Sequence, residues 1–239
     1  MRPSRTSTPG QRSIRVLHAA VGVVVSALAL SVSAMAPVAL ASPARVSATR
    51  SAPALQLGSR GAAVRALQDE LQRLTYLPAG VADGRFGIRT WHAVVAFQGW
   101  SGLVRDGVVG PRTRAALARA HRPTPWSSAE GMEVHIAQQV LLLVRKGRVQ
   151  RAIHVSTGRP GWPTPVGHFR VLERDTLSWS APFHTWMPLA QYFYPGFAIH
   201  EYPEVPDYPA SHGCVRVPEA EAATVWGFGR VGMRVWTTP

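Results

Sequence analysis

Apolar residues fall at Val64, Leu67, Leu71 and Leu74, the i, i+3, i+7, i+10 spacing of one stripe on an amphipathic helix that Gly61 or Ser59 is placed to start. An internal repeat follows. Asp83-Gly84, Gly87, Thr90, Ala93 and Val94 recur 23 residues later as Asp106-Gly107, Gly110, Thr113, Ala116 and Leu117. Each copy predicts an Asp-Gly turn, a glycine that permits positive φ (Gly87, Gly110) and a short helix starting near the threonine, with Pro111 suited to a first turn. Val94, Phe97 and Leu117 are expected to pack on the first helix. This is a small three-helix domain over 55–121.

Beyond a linker at 122–129, which holds Pro123 and Pro125, the pattern changes to β-rich runs. Met132–Ile136 with Gln139–Val144 predicts one hairpin, and Leu141–Val144 with Val149–Val155 a second around Lys146-Gly147. Further strands are expected at Gly167–Leu172, Phe197–His200, Val215–Val217 and Val231–Trp236. Pro218–Trp226 predicts a helix, with Glu219 and Glu221 in its first turn and Ala222, Val225 and Trp226 inward. The pattern assigns no element between Leu172 and Phe197. The second domain, 130–239, therefore reads as mainly β.

The N-terminal 41 residues differ from both. Arg2, Arg5, Arg12 and Arg15 precede an uncharged run rich in Ala, Val and Leu. Cleavage after Ala39-Leu40-Ala41 is favoured over Ala34-Met35-Ala36, where Pro37 would follow the cut. The run is also nearly long enough to cross a bilayer, so residues 1–41 read as a signal peptide or a membrane anchor. Either reading places the rest outside the cytoplasm, and residues 42–54, rich in Ser, Pro, Ala and Arg, read as a spacer.

Charge sharpens the division. The chain of 239 residues has a net charge of +13, and all but one of its 26 basic residues are Arg, Lys146 being the exception. The first 41 residues hold four Arg and no acid; residues 42–122 hold twelve Arg against Asp69, Glu70, Asp83 and Asp106; the remainder is nearly neutral. An exported chain rarely meets nucleic acid, and the basic residues form no run interleaved with aromatics, so no nucleic-acid partner is expected. Anionic envelope polymers or membrane headgroups are the expected counterions, with plain solvated Arg-rich helix faces as the alternative.

The single cysteine, Cys214, rules out an internal disulfide and a zinc site needing two cysteines. It lies in Ser211-His212-Gly213-Cys214-Val215-Arg216, and His200 ends an apolar strand upstream. A catalytic thiol needs a base or a nearby positive charge, and His200, His212 and Arg216 are the suppliers at hand. Gly213 removes a side chain where a substrate carbonyl would approach backbone N–H donors. A buried structural cysteine, a zinc site of His200, His212 and Cys214, and a redox sensor are the competing readings. Trp162, Trp179, Trp186, Tyr192 and Tyr194 are candidates for a substrate groove, although residue type favours the core for each.

Two resemblances carry function. Leu57-Gly58-Ser59-Arg60-Gly61, Val64, Leu67-Gln68, Asp83-Gly84-Arg85-Phe86-Gly87, Phe97-Gln98, Asp106-Gly107 and Val109-Gly110-Pro111 resemble the peptidoglycan-binding-like domain of exported wall enzymes. Val155–Arg159, Thr164–Phe169, Gly196–His200 and Tyr208–Val217 resemble the catalytic domain of the L,D-transpeptidases, from about Met132 to Trp236. The second resemblance implies a β-sandwich of mixed sheets, no cofactor, no metal, and peptidoglycan stem peptides as substrate. It implies Cys214 as nucleophile, His200 as its base, His212 and Gly213 shaping the catalytic site, and Arg216 and Ser211 as substrate-binding residues. It also implies a thioester on Cys214 at the third stem residue, resolved by an amine to a 3→3 cross-link or by water, and acylation by carbapenems. Two departures stand out: Glu201 follows His200 where the family often has Gly, and the stretch to Ser211 is short, with Pro203, Pro206 and Pro209.

Overall fold

The structure, a computed structural model, describes residues 52–119 and 122–239. The signal or anchor reading of residues 1–41 and most of the 42–54 spacer fall outside the described residues.

Three helices come first: α1 (Ala62–Arg73), α2 (Ile88–Trp100) and α3 (Pro111–Ala118). The predicted stripe of α1 is buried at Val64, Leu67 and Leu71 and packs with Val94, Phe97 and Leu117. Gly61 is its N-cap. The repeat has a shared internal anchor. In the first copy the Gln68 amide donates to Asp83 Oδ1 (2.9 Å), the Arg85 carbonyl (3.0 Å) and Thr90 Oγ1 (3.0 Å), while its oxygen accepts from Gly84 N–H (2.8 Å). In the second, Gln98 makes the same four bonds to Asp106, Val108, Thr113 and Gly107. A buried glutamine with its amide fully satisfied fixes each Asp-Gly loop. Gly84 and Gly107 have φ of 72° and 69°, as the turns require. Gly87 and Gly110 do not have positive φ: at −90° and −84° they are extended N-caps, and the helices start directly after them, at Ile88 and Pro111, ahead of the threonines.

Nine strands follow: β1 (Gly131–His135), β2 (Val140–Arg145), β3 (Arg148–His154), β4 (Gly167–Arg170), β5 (Glu173–Ser180), β6 (Thr185–Tyr194), β7 (Phe197–Tyr202), β8 (Val215–Pro218) and β9 (Arg234–Thr238), with helix α4 (Glu219–Phe228) between the last two. They form a five-stranded sheet, β3-β2-β1-β9-β4, and a four-stranded sheet, β5-β6-β7-β8. The pairs β1–β9 and β7–β8 are parallel, so both sheets are mixed. Both expected hairpins form. Lys146 and Gly147, with φ of 52° and 66°, supply the two positive central residues that a tight hairpin turn needs.

The final strand begins later than expected, because Arg230 to Met233 are spent on a turn in which Gly232 N–H donates to the Val171 carbonyl. The β5–β6 hairpin fills the stretch left unassigned. In α4, Ala222 and Val225 are buried as expected, but Glu221 is buried too, and its carboxylate takes two hydrogen bonds from Arg151 (3.1 and 2.5 Å). Trp226 is half-buried and lies under the Arg174 guanidinium at 3.7 Å.

One apolar cluster joins the inner faces of the two sheets: Met132, Leu141, Leu143, Ile153 and Val235 pack with Phe193, Ile199, Val215 and Val217. A second cluster carries the alternate residues of β2 and β3, Val140, Leu142, Val144 and Ala152, against Val64, Leu71 and Phe97 of the helices. The helical module thus covers the β2–β3 half of the outer face of the five-stranded sheet. Specific bonds key the contact: Ala152 N–H donates to the Thr75 carbonyl (3.0 Å), the Nδ1 atoms of His92 and His154 are 2.9 Å apart, and Arg105 donates to the carbonyls of Asp207 and Ala137. The linker is tied down as well, through Trp126 and Ser127 N–H groups donating to the buried Glu133 carboxylate.

Candidate active site

Parallel pairing of β7 with β8 puts His200 opposite Arg216, one residue beyond Ile199 opposite Val215. Period-two alternation then turns Ala198, His200 and Tyr202 to the same face as Cys214 and Arg216. There a small cavity of about 90 Å³ opens, lined by His200, Tyr202, Ser211, His212, Cys214 and Arg216 on one side. Ser180, Phe183, Thr185 and Met187, from the β5–β6 hairpin, close the other.

Parallel neighbours need a crossover, and here residues 203–214 provide it. Three anchors hold this segment. Thr157 carbonyl accepts from the Ala210 and Ser211 N–H groups, Ser156 Oγ donates to the Tyr208 carbonyl (2.7 Å), and Arg159 N–H donates to the Ser211 carbonyl (3.0 Å). Cys214 therefore stands on a braced turn. Its Sγ accepts from Ala198 N–H at 3.5 Å and lies 3.9 Å from the Gly196 carbonyl.

His200 is buried, and its Nδ1 donates to the Glu201 carbonyl at 2.7 Å. That bond leaves the lone pair of the neutral ring on Nε2. Burial pushes the ring down to about 4, helped by Arg216 and opposed by the Glu201 bond. Burial also raises the Cys214 thiol, against the lowering effects of Ala198 N–H and Arg216. Burial thus favours the uncharged form of both the Cys214 thiol and the His200 ring. Glu201 holds the imidazole through its backbone carbonyl and not through its carboxylate, which burial and Glu219 raise above the usual range.

Gly213 and Ser211 differ from expectation. Gly213 has φ of 110°, and a Cβ there would sit 2.2 Å from the Phe197 ring. The space its missing side chain leaves is filled by Phe197 and is not open to substrate. Its N–H is engaged too, donating to Ser211 Oγ at 3.0 Å, while Ser211 Oγ donates to the Cys214 carbonyl at 2.6 Å. Ser211 is buried, and its hydroxyl donates once and accepts once inside the turn, so it braces the backbone on both sides of Cys214. Thr164 is a brace that the sequence reading did not single out; its Oγ1 donates to the Gly213 carbonyl (2.8 Å) and accepts from Gly158 N–H (2.9 Å). The Cys214 N–H makes no hydrogen bond within the described residues.

His212 stacks on Phe183 (4.1 Å between centroids), meets Trp162 edge-on, and accepts at Nε2 from Arg159 at 2.8 Å. The zinc reading fails on placement, not on ring nitrogens, because His200, His212 and Cys214 do not converge on one point. Among the described residues no group of three or more His, Cys, Asp or Glu is placed to hold a metal. Arg216 lies over the Tyr202 ring at 4.0 Å, and no ion pair among the described residues engages it. Tyr202, two residues after His200 on one strand, was detectable by period two alone. The hairpin residues Ser180, Phe183, Thr185 and Met187 carried no signal. Trp162, Trp179, Trp186 and Tyr194 are not core, being more than two-fifths exposed, whereas Tyr192 is half-buried and packs against the small cluster of Met187, Ala190 and Ala198; Trp162 meets the cavity residues Phe183 and His212 edge-on.

Comparison with known proteins agrees with this geometry. Residues 130–236 match the L,D-transpeptidase catalytic domain family, and residues 60–117 match a peptidoglycan binding domain family. A crystal structure of an L,D-transpeptidase from Xylanimonas cellulosilytica is 41% identical, covers 77% of this chain and 97% of that one, and superposes with a TM-score of 0.72. An L,D-transpeptidase from Stackebrandtia nassauensis, 23% identical over 77% of this chain and 95% of its own, shares the fold at a TM-score of 0.50. Among curated sequences, a probable N-acetylmuramoyl-L-alanine amidase of Bacillus licheniformis is 36% identical over 84 residues, 33% of this chain and 24% of that protein. An uncharacterized protein of Kitasatospora aureofaciens is 48% identical over 68 residues, 28% of this chain and 57% of its own length. The chain thus spans only part of these two curated relatives. With the braced cysteine turn, the buried histidine and a match across almost all of its β domain, the chain belongs to the L,D-transpeptidase family, with a peptidoglycan-binding domain ahead of the catalytic one.

Proposed function

We propose that the chain is an exported cysteine-dependent L,D-transpeptidase that acts outside the cytoplasm on peptidoglycan tetrapeptide stems. The observation that carries this reading is the placing of Cys214 and His200 on one face of paired strands, lining one cavity, with the histidine lone pair fixed on Nε2.

In the first half-reaction Cys214 Sγ attacks the carbonyl carbon of the third stem residue as His200 Nε2 takes the thiol proton. Because burial disfavours both charged forms, the proton moves with the attack and not before it. The Cys214 N–H, with no bond inside the protein, is the donor available to the developing oxyanion; the Gly213 N–H is not. The C–N bond then breaks, His200 returns the proton to the departing D-Ala amine, and a thioester remains. In the second half-reaction an acceptor amine attacks the thioester carbon, the C–S bond breaks, and the amine proton passes through His200 to the sulfur. Arg216, held by Tyr202, presents a guanidinium free for a substrate carboxylate.

Incubation with tetrapeptide muropeptides, followed by mass analysis of the products, tests the reading. Cross-linked dimers support it. Tripeptides alone assign hydrolysis on the same scaffold, and unchanged substrate assigns a silent wall-binding protein.

A further inference from the structure

The outer face of the five-stranded sheet is only half covered by the helices. Over β4 and β9 it carries a pair of arginines that the fold does not explain. Arg170 and Arg234 are direct partners in the antiparallel β4–β9 register, both exposed. Like charges directly opposite each other in a strand pair destabilise it. No ion pair among the described residues offsets this, because none involves either guanidinium. The groove they line, about 610 Å³, contains no Asp or Glu. Arg170 is steadied by donating to the Gly232 carbonyl at 2.8 Å, which aims it without neutralising it.

Beside the arginines runs a row of rings. His168 is the register partner of Trp236 and meets it edge-on at 6.4 Å, and Trp126 of the linker meets His168 edge-on at 5.2 Å. Trp126 is 58% exposed. His168 also lines an adjoining apolar groove of about 520 Å³ with Trp126, His135 and Val166, and Trp100 of the helical module packs edge-on against that His135. The grooves share no lining residue with the Cys214 cavity.

We propose that this surface binds a saccharide chain bearing carboxylates on its rings, Arg170 and Arg234 taking the carboxylate and Trp126 and His168 stacking on the pyranose. Two planar guanidinium forks side by side suit a carboxylate, and the exposed indole suits the C–H face of a sugar. A carboxylate carried on the ring holds anion and stacking face in one rigid unit, matching arginines and rings set side by side on two strands. The surface continues the sheet face on which the helical module sits, so a chain bound here passes alongside that module. The inference stands apart from the chemistry assigned to Cys214.

Titration of the full chain with an alginate hexasaccharide, with chitohexaose (neutral) and with polyphosphate (anionic, without rings) tests it. Alginate is expected to bind best. Arg170→Gln/Arg234→Gln should weaken alginate binding by at least about tenfold, and Trp126→Ala by a few-fold, roughly the loss of one charge-assisted contact and one stacking contact. Acylation of Cys214 by a carbapenem should be unchanged in both variants, which reports an intact fold. Equal alginate affinity in the wild type and the double variant would overturn the proposal. So would polyphosphate binding as tight as alginate and equally sensitive to the arginines, or chitohexaose binding as well as alginate.

Discussion

His200 Nδ1 lies 2.7 Å from the carbonyl oxygen of Glu201, so the residue that fixes the imidazole tautomer does so with its backbone. Any amino acid supplies that carbonyl. Glu201→Gly should therefore retain acylation and cross-linking within about tenfold of wild type, by steady-state kinetics on a tetrapeptide donor. Complete loss of activity would show that the carboxylate takes part.

Ser211 bridges the Gly213 N–H and the Cys214 carbonyl from inside the turn. Ser211→Ala leaves both buried groups short of a partner, at a cost of roughly 1–3 kcal/mol. The expected outcome is a lower urea midpoint together with a fall in kcat of about tenfold or more and little change in KM, the pattern of a hydroxyl that braces the Cys214 turn. A rise in KM at constant kcat would restore Ser211 to substrate binding.

Gly213→Ala meets two obstacles: φ of 110° and the Phe197 ring 2.2 Å from the new Cβ. The variant should lose most of its activity. Adding Phe197→Ala relieves the clash but not the backbone strain, so the double variant should regain folding stability, read as urea midpoint, without regaining full activity. Full recovery would mean that φ at this position is unimportant.

Stability should fall with acid. Burial holds His92 and His200 at about 4 and His154 well below its ordinary value, with His92 and Arg105 adding to the effect on His154. An unfolded imidazole titrates near 6.5, so between about pH 6.5 and pH 4 the unfolded chain binds protons that the folded chain refuses. The stability is complete above that window and is lost as pH falls through it; His92 alone contributes roughly 3 kcal/mol. Urea unfolding at several pH values within the window checks this, and a flat profile contradicts it. His92→Asn should make the profile shallower without abolishing it, because His154 and His200 still refuse protons in the folded chain.

Most of what positions the chemistry was legible in the sequence, for identifiable reasons. The stripe of α1, the Lys146-Gly147 turn and the strands around His200 and Cys214 each bury one face, and burial is what writes periodicity into sequence. The hairpin β5–β6 escaped because β5 is exposed or half-buried along its whole length, so no alternation marks it, and Pro182 and Pro188 interrupt the run. The exposed tryptophans were misplaced for the same reason: residue type predicts burial only where the surrounding strand has a buried face. The Asp-Gly repeat was visible, but Gln68 and Gln98, which give it meaning, lie outside the repeated positions. That Ser211 and Gly213 brace the Cys214 turn depends on hydrogen bonds that only coordinates display.

The proposed function stands on acylation of Cys214 by a stem peptide with His200 as its base. Intact-mass analysis of the full chain incubated with a tetrapeptide donor and no acceptor amine measures it directly. The expected result is an adduct equal to the donor less D-Ala, located on Cys214 by peptide mapping, absent from Cys214→Ala and slowed by at least about a hundredfold in His200→Ala. An adduct that persists in Cys214→Ala, or an undiminished rate in His200→Ala, would contradict it.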